Sequence, residues 1–254
     1  MTSNTGNDVQ LGWLLLLIPV VVSGQADQYN PIYRGEAGEV FSRKPNQLVV
    51  EAVRHRKPGT ALDVAMGQGR NAIFLAQQGW EVTGFDSADE GVRQAAEEAR
   101  RLALKLRTEV TTIDKFDFGM ARWDLIVLTY APTKAVAPRV ERALKPGGVV
   151  VVEDRHLDTK RVWPAGTFAN NELISLFPGL RVLRYEDVWA RPDWSARQVE
   201  ERLVRLVAEK PQLPIPGCVW DGSPKSEGQV VCWGATTLNC TKDGWQVSGE
   251  KCRE

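Results

Sequence analysis

The chain has 254 residues, of which 43% are hydrophobic and 25% are charged, so it is long enough to bury a large core. Its 32 basic and 32 acidic residues cancel, which excludes a global electrostatic attraction to nucleic acid. We therefore expect one main folded domain with smaller appendages, and no nucleic-acid partner.

The N-terminal segment contains an unbroken apolar stretch, residues 11–22. It is too short to cross a bilayer as a helix, which needs about 20 residues, but it matches the apolar region of a secretory signal and is followed by small residues. We interpret residues 1–26 as a signal peptide or membrane anchor, and expect no other membrane span. Residues 1–10 carry Asp8 and no basic residue, so a buried N-terminal strand or a mis-assigned start stays open.

The segment of residues 61–86 is the most informative part of the chain. A hydrophobic strand leads into a glycine loop, a helix over residues 71–77 follows, and a second strand ends in Asp86. Gly67 and Gly69 lack a Cβ, so the chain can turn sharply and a ligand can approach the backbone. An acidic residue at the end of the second strand can accept hydrogen bonds from ribose hydroxyls. This unit predicts a nucleoside site.

The elements around this unit alternate between helices and strands, which predicts a parallel sheet. The turn Lys145-Pro-Gly-Gly148 ends a helix and starts an apolar strand. Two later strands alternate polar and apolar residues and predict an antiparallel hairpin. The predicted helices are residues 46–54, 91–106 and 132–144, and the predicted strands are residues 108–114, 123–130, 149–153, 180–188 and 202–207.

The order of Asp63, Asp86, Asp114 and the Lys-Pro-Gly-Gly turn resembles that of class I S-adenosylmethionine (SAM) methyltransferases. The loop of residues 67–72 and the segment 79–86 look most similar to the tellurite-resistance and related small-molecule methyltransferases, over residues 30–211. The resemblance implies a Rossmann-like α/β fold, a doubly wound, seven-stranded and mostly parallel sheet with an antiparallel last strand. It also implies SAM as cofactor and a small-molecule methyl acceptor.

The resemblance further implies where the cofactor lies. Asp63, Gly67 and Gly69 would line its methionine portion, and Asp86 would hold the ribose. The whole implied site consists of Asp63, Ala65, Met66, Gly67, Gly69, Asn71, Asp86, Ser87, Asp114 and Lys115 near the adenine, and Thr129 and Tyr130 beside the sulfonium. No metal is expected.

One residue departs from the family pattern. Ala65 stands where the first loop glycine is usual, and Met66 follows it. An alanine is unstrained only at negative φ, so we expect a negative φ at Ala65 and a loop slightly further from the cofactor.

The residues that would perform the chemistry are less evident. Methyl transfer depends mostly on holding donor and acceptor in line, so a dedicated acid or base is optional. The candidates are Tyr130, Glu153 and His156, with Tyr33 and Arg34 as further residues on the acceptor side. His156 lies in a charged loop, and a solvated position explains it as simply as a catalytic one.

Two other classes of function stay open. An NAD-binding oxidoreductase is the first, because Gly67-x-Gly-x-x-Ala72 also fits the dinucleotide fingerprint. Against it, Asp63 lies inside the first strand, and nothing after Glu153 supplies a second nucleotide-binding half. The second is an exported, catalytically silent nucleoside-binding or interaction module, since SAM is made in the cytosol whereas other features indicate export.

The C-terminal segment carries the features that indicate export. Residues 212–217 are typical of a stiff linker, and all four cysteines follow it: Cys218, Cys232, Cys240 and Cys252. No Cys-x-x-Cys pair occurs, which disfavours zinc, and we predict two disulfides with the pairing open. Disulfides persist in oxidising compartments; four free thiols are the alternative.

We therefore divide the chain into residues 1–26, a methyltransferase domain at 27–211, and a linker with a small disulfide-bonded tail at 212–254. Short strands are predicted in the tail at 229–233 and 244–247. The expected location is secreted or periplasmic, with a cytoplasmic location as the alternative.

Overall fold

A computed structural model of the chain describes residues 25–37, 41–159, 167–194, 199–212, 218–220, 223–225, 228–233, 236–241 and 244–251. Its helices are α1 (Gln25–Tyr33), α2 (Gln47–Val53), α3 (Arg70–Gln77), α4 (Asp89–Arg101), α5 (Thr133–Ala143) and α6 (Glu172–Ser175). The strands of the main sheet are β1 (Thr60–Val64), β2 (Glu81–Asp86), β3 (Leu106–Val110), β4 (Trp123–Thr129), β5 (Leu144–His156), β6 (Thr167–Phe168), β7 (Arg181–Ala190) and β8 (Glu201–Glu209).

The main sheet has the order β3-β2-β1-β4-β5-β8-β7, with the short β6 paired to β5. Strands β1 to β5 are parallel, whereas β8 runs antiparallel to both β5 and β7. The predicted α/β sheet, with its antiparallel last strand, is confirmed. Strand β6 is an addition that the sequence did not indicate.

The apolar strands β4 and β5 are buried on both faces because helices cover both sides of the sheet. Leu125 and Val151 point into one core, which α2, α3 and α4 cover. Ile126 and Val150 point into the other core, beneath α5. This doubly wound arrangement leaves the carboxyl ends of the strands open at one edge, where ligands bind in such folds.

The predicted boundaries around α4 were wrong. The helix ends at Arg101 rather than at residue 106, and β3 spans Leu106–Val110 rather than 108–114. Ala103 has a left-handed backbone with φ of 52°, and the N–H of Leu104 bonds back to the carbonyl of Ala99. Such a turn ends a helix.

The first helices precede the sheet. Asn46 caps α2, because its side chain accepts a hydrogen bond from the N–H of Val49. Residues 1–24 lie outside the described residues, and with them the apolar stretch of the predicted signal. Within the part that the structure describes, no helix is both long and apolar enough to cross a membrane.

The C-terminal tail forms small antiparallel sheets of its own. Its strands are β9 (Val219–Trp220), β10 (Ser223–Pro224), β11 (Val230–Trp233), β12 (Thr236–Thr241) and β13 (Gly244–Lys251). Of these, β11 and β13 were predicted, and β9, β10 and β12 were not. A disulfide joins Cys218 to Cys240 beside Leu238 and Trp245. Cys232 is also disulfide-bonded, and Cys252 lies outside the described residues.

Candidate active site

A cavity of about 270 Å³ opens at the carboxyl edge of the sheet. The ends of β1, β2 and β4 form its floor, and α1 lies across it. Its lining comes from these elements, from the loops beside them and from two more distant residues, Arg155 and Trp194. The other residues that line it are Gln28, Tyr29, Ile32, Tyr33, Phe41, Ser42, Asp63, Ala65, Met66, Gly67, Gln68, Arg70, Asn71, Phe85, Asp86, Ser87, Thr111, Ile113, Thr129, Tyr130, Ala131 and Pro132.

Asp86 ends β2 and joins two elements of the site. One carboxylate oxygen accepts a hydrogen bond from the N–H of Gly67 at 2.8 Å, and the other accepts one from the N–H of Ala88 at 2.8 Å. Burial raises the pKa of Asp86. Each carboxylate oxygen can accept a second bond, so the group can hold the glycine loop, start α4 and still accept from a ligand.

Asp63 lies in β1 below the glycine loop and is only 1% exposed. Its carboxylate accepts a hydrogen bond from the N–H of Ala72 at 2.9 Å. Burial raises the pKa of Asp63 to about 7, although the bond from Ala72 opposes the shift. A cationic ligand group in the cavity would therefore find a carboxyl that gives up its proton near neutrality.

The glycine loop is shaped by a tyrosine of α1 as well as by the sheet. A Cβ on Gly67 would lie 2.5 Å from the hydroxyl oxygen of Tyr33, and a Cβ on Gly91 would lie 2.9 Å from the same ring. Both positions therefore need glycine so that Tyr33 can pack between the loop and α4. Burial raises the pKa of Tyr33 well above its ordinary value.

The expectation for Ala65 was wrong. Its φ is 54°, the same as that of Gly67, so Ala65 adopts a left-handed backbone conformation although it carries a Cβ. Such a conformation costs about 1 kcal/mol or more. The alanine follows the backbone path available to a glycine, and Ala65 still lines the cavity.

The end of β4 forms the far side of the cavity. Asn71 donates from its side chain to Thr129 Oγ1 at 2.9 Å and accepts from the N–H of Asn46 at 2.8 Å. This ties α3, β4 and the cap of α2 together. Tyr130, the next residue, has a φ of 56°, and burial raises the pKa of its hydroxyl well above the ordinary value.

Glu153 lies behind Tyr130 rather than in the cavity lining, and it is 1% exposed. Its Oε1 accepts from the Tyr130 hydroxyl and from Asn46 Nδ2, each at 2.7 Å. Its Oε2 accepts from Arg205 Nε at 2.6 Å. The three donors on its two oxygens tie Glu153 to Tyr130, Asn46 and Arg205.

His156 does not reach the cavity and is not solvated. It is 3% exposed, its Nε2 lies 2.9 Å from Asn170 Oδ1, and its Nδ1 accepts from the N–H of Asp158. In β5 the side chains alternate between faces, so His156 lies on the face opposite to Arg155. Arg34, the further acceptor-side candidate, is exposed and pairs with Glu36.

The structure brings most of the predicted cofactor residues to this one cavity. Those that line it are Asp63, Ala65, Met66, Gly67, Asn71, Asp86, Ser87, Thr129 and Tyr130. Gly69, Asp114 and Lys115 are outside the lining. Gly69 instead packs against α4, where a Cβ would meet Ala95 at 2.8 Å.

The loop after β3 differs from the prediction because β3 ends earlier. Thr111 and Ile113 line the cavity in place of Asp114, which is exposed. Phe41, Arg155 and Trp194 were missed as well. They come from loops and from a charged strand end, which carry no periodic or spacing signal.

The residues present fit SAM. Asp86, at the end of β2, has spare lone pairs that can accept hydrogen bonds from the two ribose hydroxyls. Asp63, below the glycine loop, can pair with the ammonium group of SAM. Apolar Phe85 and Ile113 line the wall against which a flat purine can pack.

Comparison with known proteins agrees with this geometry. Residues 61–148 match the family described as "Methyltransferase domain". The chain is 23% identical over 189 residues to a probable S-adenosyl-L-methionine-dependent methyltransferase, TehB, from Haemophilus influenzae, covering 68% of this chain and 66% of the relative. It is 27% identical over 195 residues to hemagglutinin 1 of Eikenella corrodens, covering 69% and 64%.

The crystal structure of TehB from Haemophilus influenzae superposes with a TM-score of 0.59 at 19% identity, covering 71% of this chain and 66% of that chain. This likeness concerns the fold. The chain spans slightly under two thirds of the length of these curated relatives, 64% and 66%. Residues 61–148 thus match a methyltransferase domain, and the fold around them is similar to that of class I SAM-dependent methyltransferases. Within that class, the chain resembles TehB.

Proposed function

We propose that the protein transfers a methyl group from SAM to a small-molecule acceptor. The convergence of Asp63, Asp86 and Tyr130 on one cavity carries the proposal. These residues lie at the ends of three strands, β1, β2 and β4, and each would contact a different part of SAM.

The residues of the chain bind and orient the two reactants, and methyl transfer itself needs no proton transfer to a side chain. Asp86 accepts from the ribose hydroxyls while it holds Gly67 in place. Asp63 takes up the ammonium of the methionine portion. Tyr130 would lie beside the sulfonium, which would supply an electrophilic methyl group when the cofactor is bound. Holding donor and acceptor in line within a water-excluding cavity provides most of the rate enhancement in such a reaction.

Calorimetric titration of the purified chain with SAM, with its demethylated product S-adenosylhomocysteine (SAH), and with NAD tests the proposal. We expect micromolar binding of SAM and SAH and weaker binding of NAD. Tighter binding of NAD would instead support the dinucleotide alternative, and no binding of any of the three would reject a nucleoside site.

A second function is favoured by the disulfide-bonded tail. Cys218 and Cys240 form a buried disulfide, which fits an oxidising compartment, whereas SAM is made in the cytosol. The relative from Eikenella corrodens is named hemagglutinin 1. An exported protein that binds a nucleoside without turnover is therefore the alternative. Binding of SAH without turnover of any acceptor would support it.

We further propose the domain boundaries given by the sequence, with residues 1–26 as a leader, 27–211 as the methyltransferase domain and 212–254 as a linker and tail. Two separate cores support the second boundary, because Leu238 and Trp245 pack with the disulfide rather than with the main sheet.

A further inference from the structure

Asn46 connects separate parts of the cavity wall without lining the cavity itself. It is 0% exposed and lies outside the cavity lining. Its backbone N–H donates to Asn71 Oδ1 at 2.8 Å. Its side-chain Nδ2 donates to Glu153 Oε1 at 2.7 Å and to Asp193 Oδ1 at 3.2 Å. Asn71 lines the cavity, and the other two partners hold residues that do.

The two carboxylates that accept from Asn46 Nδ2 each hold one residue of the cavity lining. Glu153 Oε1 also accepts from the Tyr130 hydroxyl at 2.7 Å, at the end of β4. Asp193 Oδ1 also accepts from Arg70 Nη1 at 2.8 Å, at the start of α3. The side-chain amide of Asn46 therefore bridges the anion that holds Tyr130 and the anion that holds Arg70.

Asp193 also joins two segments that meet beside Trp194. Its Oδ2 accepts from the N–H of Gln47 at 2.9 Å, and the next residue, Trp194, lines the cavity. The carbonyl oxygen of Trp194 accepts from the N–H of Ser42 at 2.8 Å. The segment before α2 is therefore held against the loop after β7.

The charges around Asn46 determine which way its amide points. Glu153 and Asp193 are both acceptors, so they require the two N–H groups of Nδ2. The opposite orientation would place Oδ1 against two carboxylates and would take from the N–H of Val49 the acceptor that it has at 3.3 Å. Asn46 therefore donates towards the carboxylates and accepts from α2.

Capping of α2 is the alternative explanation of an asparagine at this position. Asn, Asp and Ser are about equally good N-cap residues, so a cap alone would accept any of the three. Of these three, asparagine alone offers two N–H donors from one side-chain atom. An aspartate would instead bring three carboxylates together. The two roles can therefore be separated by substitution.

We infer that Asn46 is a positioning residue, which holds the Trp194 side of the cavity in place relative to Tyr130 at the end of β4. The inference rests on the proposed function, in which SAM occupies the side of Asp63 and Asp86 and the acceptor approaches from beyond Tyr130. Hydrogen bonds to charged groups are stronger than those between neutral groups. Loss of two of them should therefore loosen the loop of Trp194 and leave the cofactor side as it is.

Amide exchange at two backbone positions tests the inference. The N–H groups of Ser42 and Gln47 are bonded to the loop of Trp194, and NMR of the full chain gives their protection factors. Asn46→Ser keeps a capping oxygen and the backbone N–H that bonds to Asn71, but it loses both amide donors. We expect the protection of Ser42 and Gln47 to fall at least tenfold relative to that of the amides in β4, and to fall further in Asn46→Asp.

Binding of SAH distinguishes this role from a role in the cofactor site. We expect the Kd of SAH, measured by calorimetry, to stay within threefold of the parent in Asn46→Ser. Labelling with 5-fluorotryptophan gives a spectroscopic readout of the loop, with the Trp194 signal assigned by its loss in Trp194→Phe. We expect one narrow fluorine line in the parent and a broadened or split line in Asn46→Ser.

A pair of aspartate variants tests the bridge from its other end. Asp193→Ala removes one of the two carboxylates, and the Asp193 side chain is 28% exposed. It should lower the protection of Ser42 at least tenfold. Asp187→Ala is the matched control, because the Asp187 side chain is 21% exposed, pairs with Arg202 and lies outside the cavity lining. In this variant Ser42 should keep its protection.

Equal protection of Ser42 and Gln47 in the parent, Asn46→Ser and Asn46→Asp would leave only the cap of α2 and would overturn the inference, as would unprotected amides in the parent. A Kd of SAH that rises more than threefold in Asn46→Ser would also overturn it, because Asn46 would then serve the cofactor side. If Asn46→Ser does not fold, Asp193→Ala decides, and unchanged protection of Ser42 would contradict the bridge. Failure of the parent to bind SAH would instead remove the proposed function, and the exchange data would still decide whether Asn46 holds the loop.

Discussion

Tyr130 is bound to Glu153 twice, through its side chain and through its backbone. Its hydroxyl donates to Glu153 Oε1 at 2.7 Å, and its N–H donates to the carbonyl oxygen of Glu153 at 2.8 Å. The two bonds hold Tyr130 in a left-handed conformation, φ 56°, at the point where β4 enters the cavity. The Tyr130 ring thus lines the cavity, and its hydroxyl ties the residue to Glu153.

A Tyr130→Phe variant separates this role from acid–base catalysis. The ring stays and only the bond to Glu153 is lost, so we expect kcat within threefold of the parent and a loss of unfolding free energy of about 1.5–3 kcal/mol. Steady-state kinetics and chemical denaturation measure the two effects. A general acid or base would instead lose about 10²–10⁴ in rate. Tyr185→Phe, which changes a tyrosine outside the cavity lining, is the control.

Asp86→Ala tests the ribose contact. We expect SAM binding to weaken at least tenfold, about 1.4 kcal/mol, because the carboxylate can no longer accept from the ligand or hold Gly67. Calorimetry on folded protein measures the change. Asp114→Ala is the matched control, since Asp114 is exposed and outside the lining; it should bind as the parent does. The reverse pattern would restore the adenine role that the sequence suggested for Asp114.

The two aspartates show what the sequence could reveal. Asp86 follows an unambiguous apolar strand, so its place at the sheet edge was predictable, as was the parallel arrangement of the strands around it. The predicted position of Asp114 in the site depended on where β3 ends. A left-handed turn at Ala103 ends α4 early, so β3 begins and ends earlier in the chain than predicted. Contacts between distant segments were not predictable. The stacking of Phe41, Trp194 and Arg155 arises only when two loops and a strand end meet.

Asp63 should make SAM binding release protons. Burial raises its pKa to about 7 in the free protein, so at pH 6.5 the group is mostly protonated, and a bound ammonium favours the carboxylate. Net proton release of more than half a proton per SAM is expected at that pH, falling towards zero above pH 8. Calorimetry in buffers of different ionisation enthalpy measures it. Equal release by Asp63→Asn would show that another group titrates.

The raised pKa of Asp63 also determines how the stability of the fold changes with pH. A carboxyl with a raised folded-state pKa stabilises the protein while it is protonated, and that stability is lost as pH rises from about 4 to about 7. Over this range, Asp63→Asn should therefore gain stability relative to the parent. Denaturant midpoints at pH 5 and pH 8 provide the comparison.

The tail should contain no free thiol when the protein is made in an oxidising compartment. The disulfide Cys218–Cys240 and the bonded state of Cys232 lead us to expect a second disulfide that uses Cys252. Mass spectrometry after alkylation, with and without reduction, counts the thiols. Four alkylated cysteines in unreduced, natively sourced protein would contradict the prediction and would place the chain in a reducing compartment.

Removal of the tail should leave cofactor binding intact. A chain that ends after Gln212 keeps all residues lining the cavity and the contacts of Lys210 with the backbone of α5 and β5. We expect SAM affinity within about threefold of the full chain, roughly 0.65 kcal/mol. Loss of folding or binding would mean that the tail packs over the cavity, and the proposed boundary at residue 212 would then be wrong.

The packing of Tyr33 against Gly67 and Gly91 affects how fast the cofactor exchanges. We expect α1 to move away from the glycine loop when SAM enters or SAH leaves, because Tyr33 of α1 packs between that loop and α4. Association should then be slower than the usual range of about 10⁵–10⁷ M⁻¹s⁻¹. Departure of SAH should be slowed by the same movement of α1.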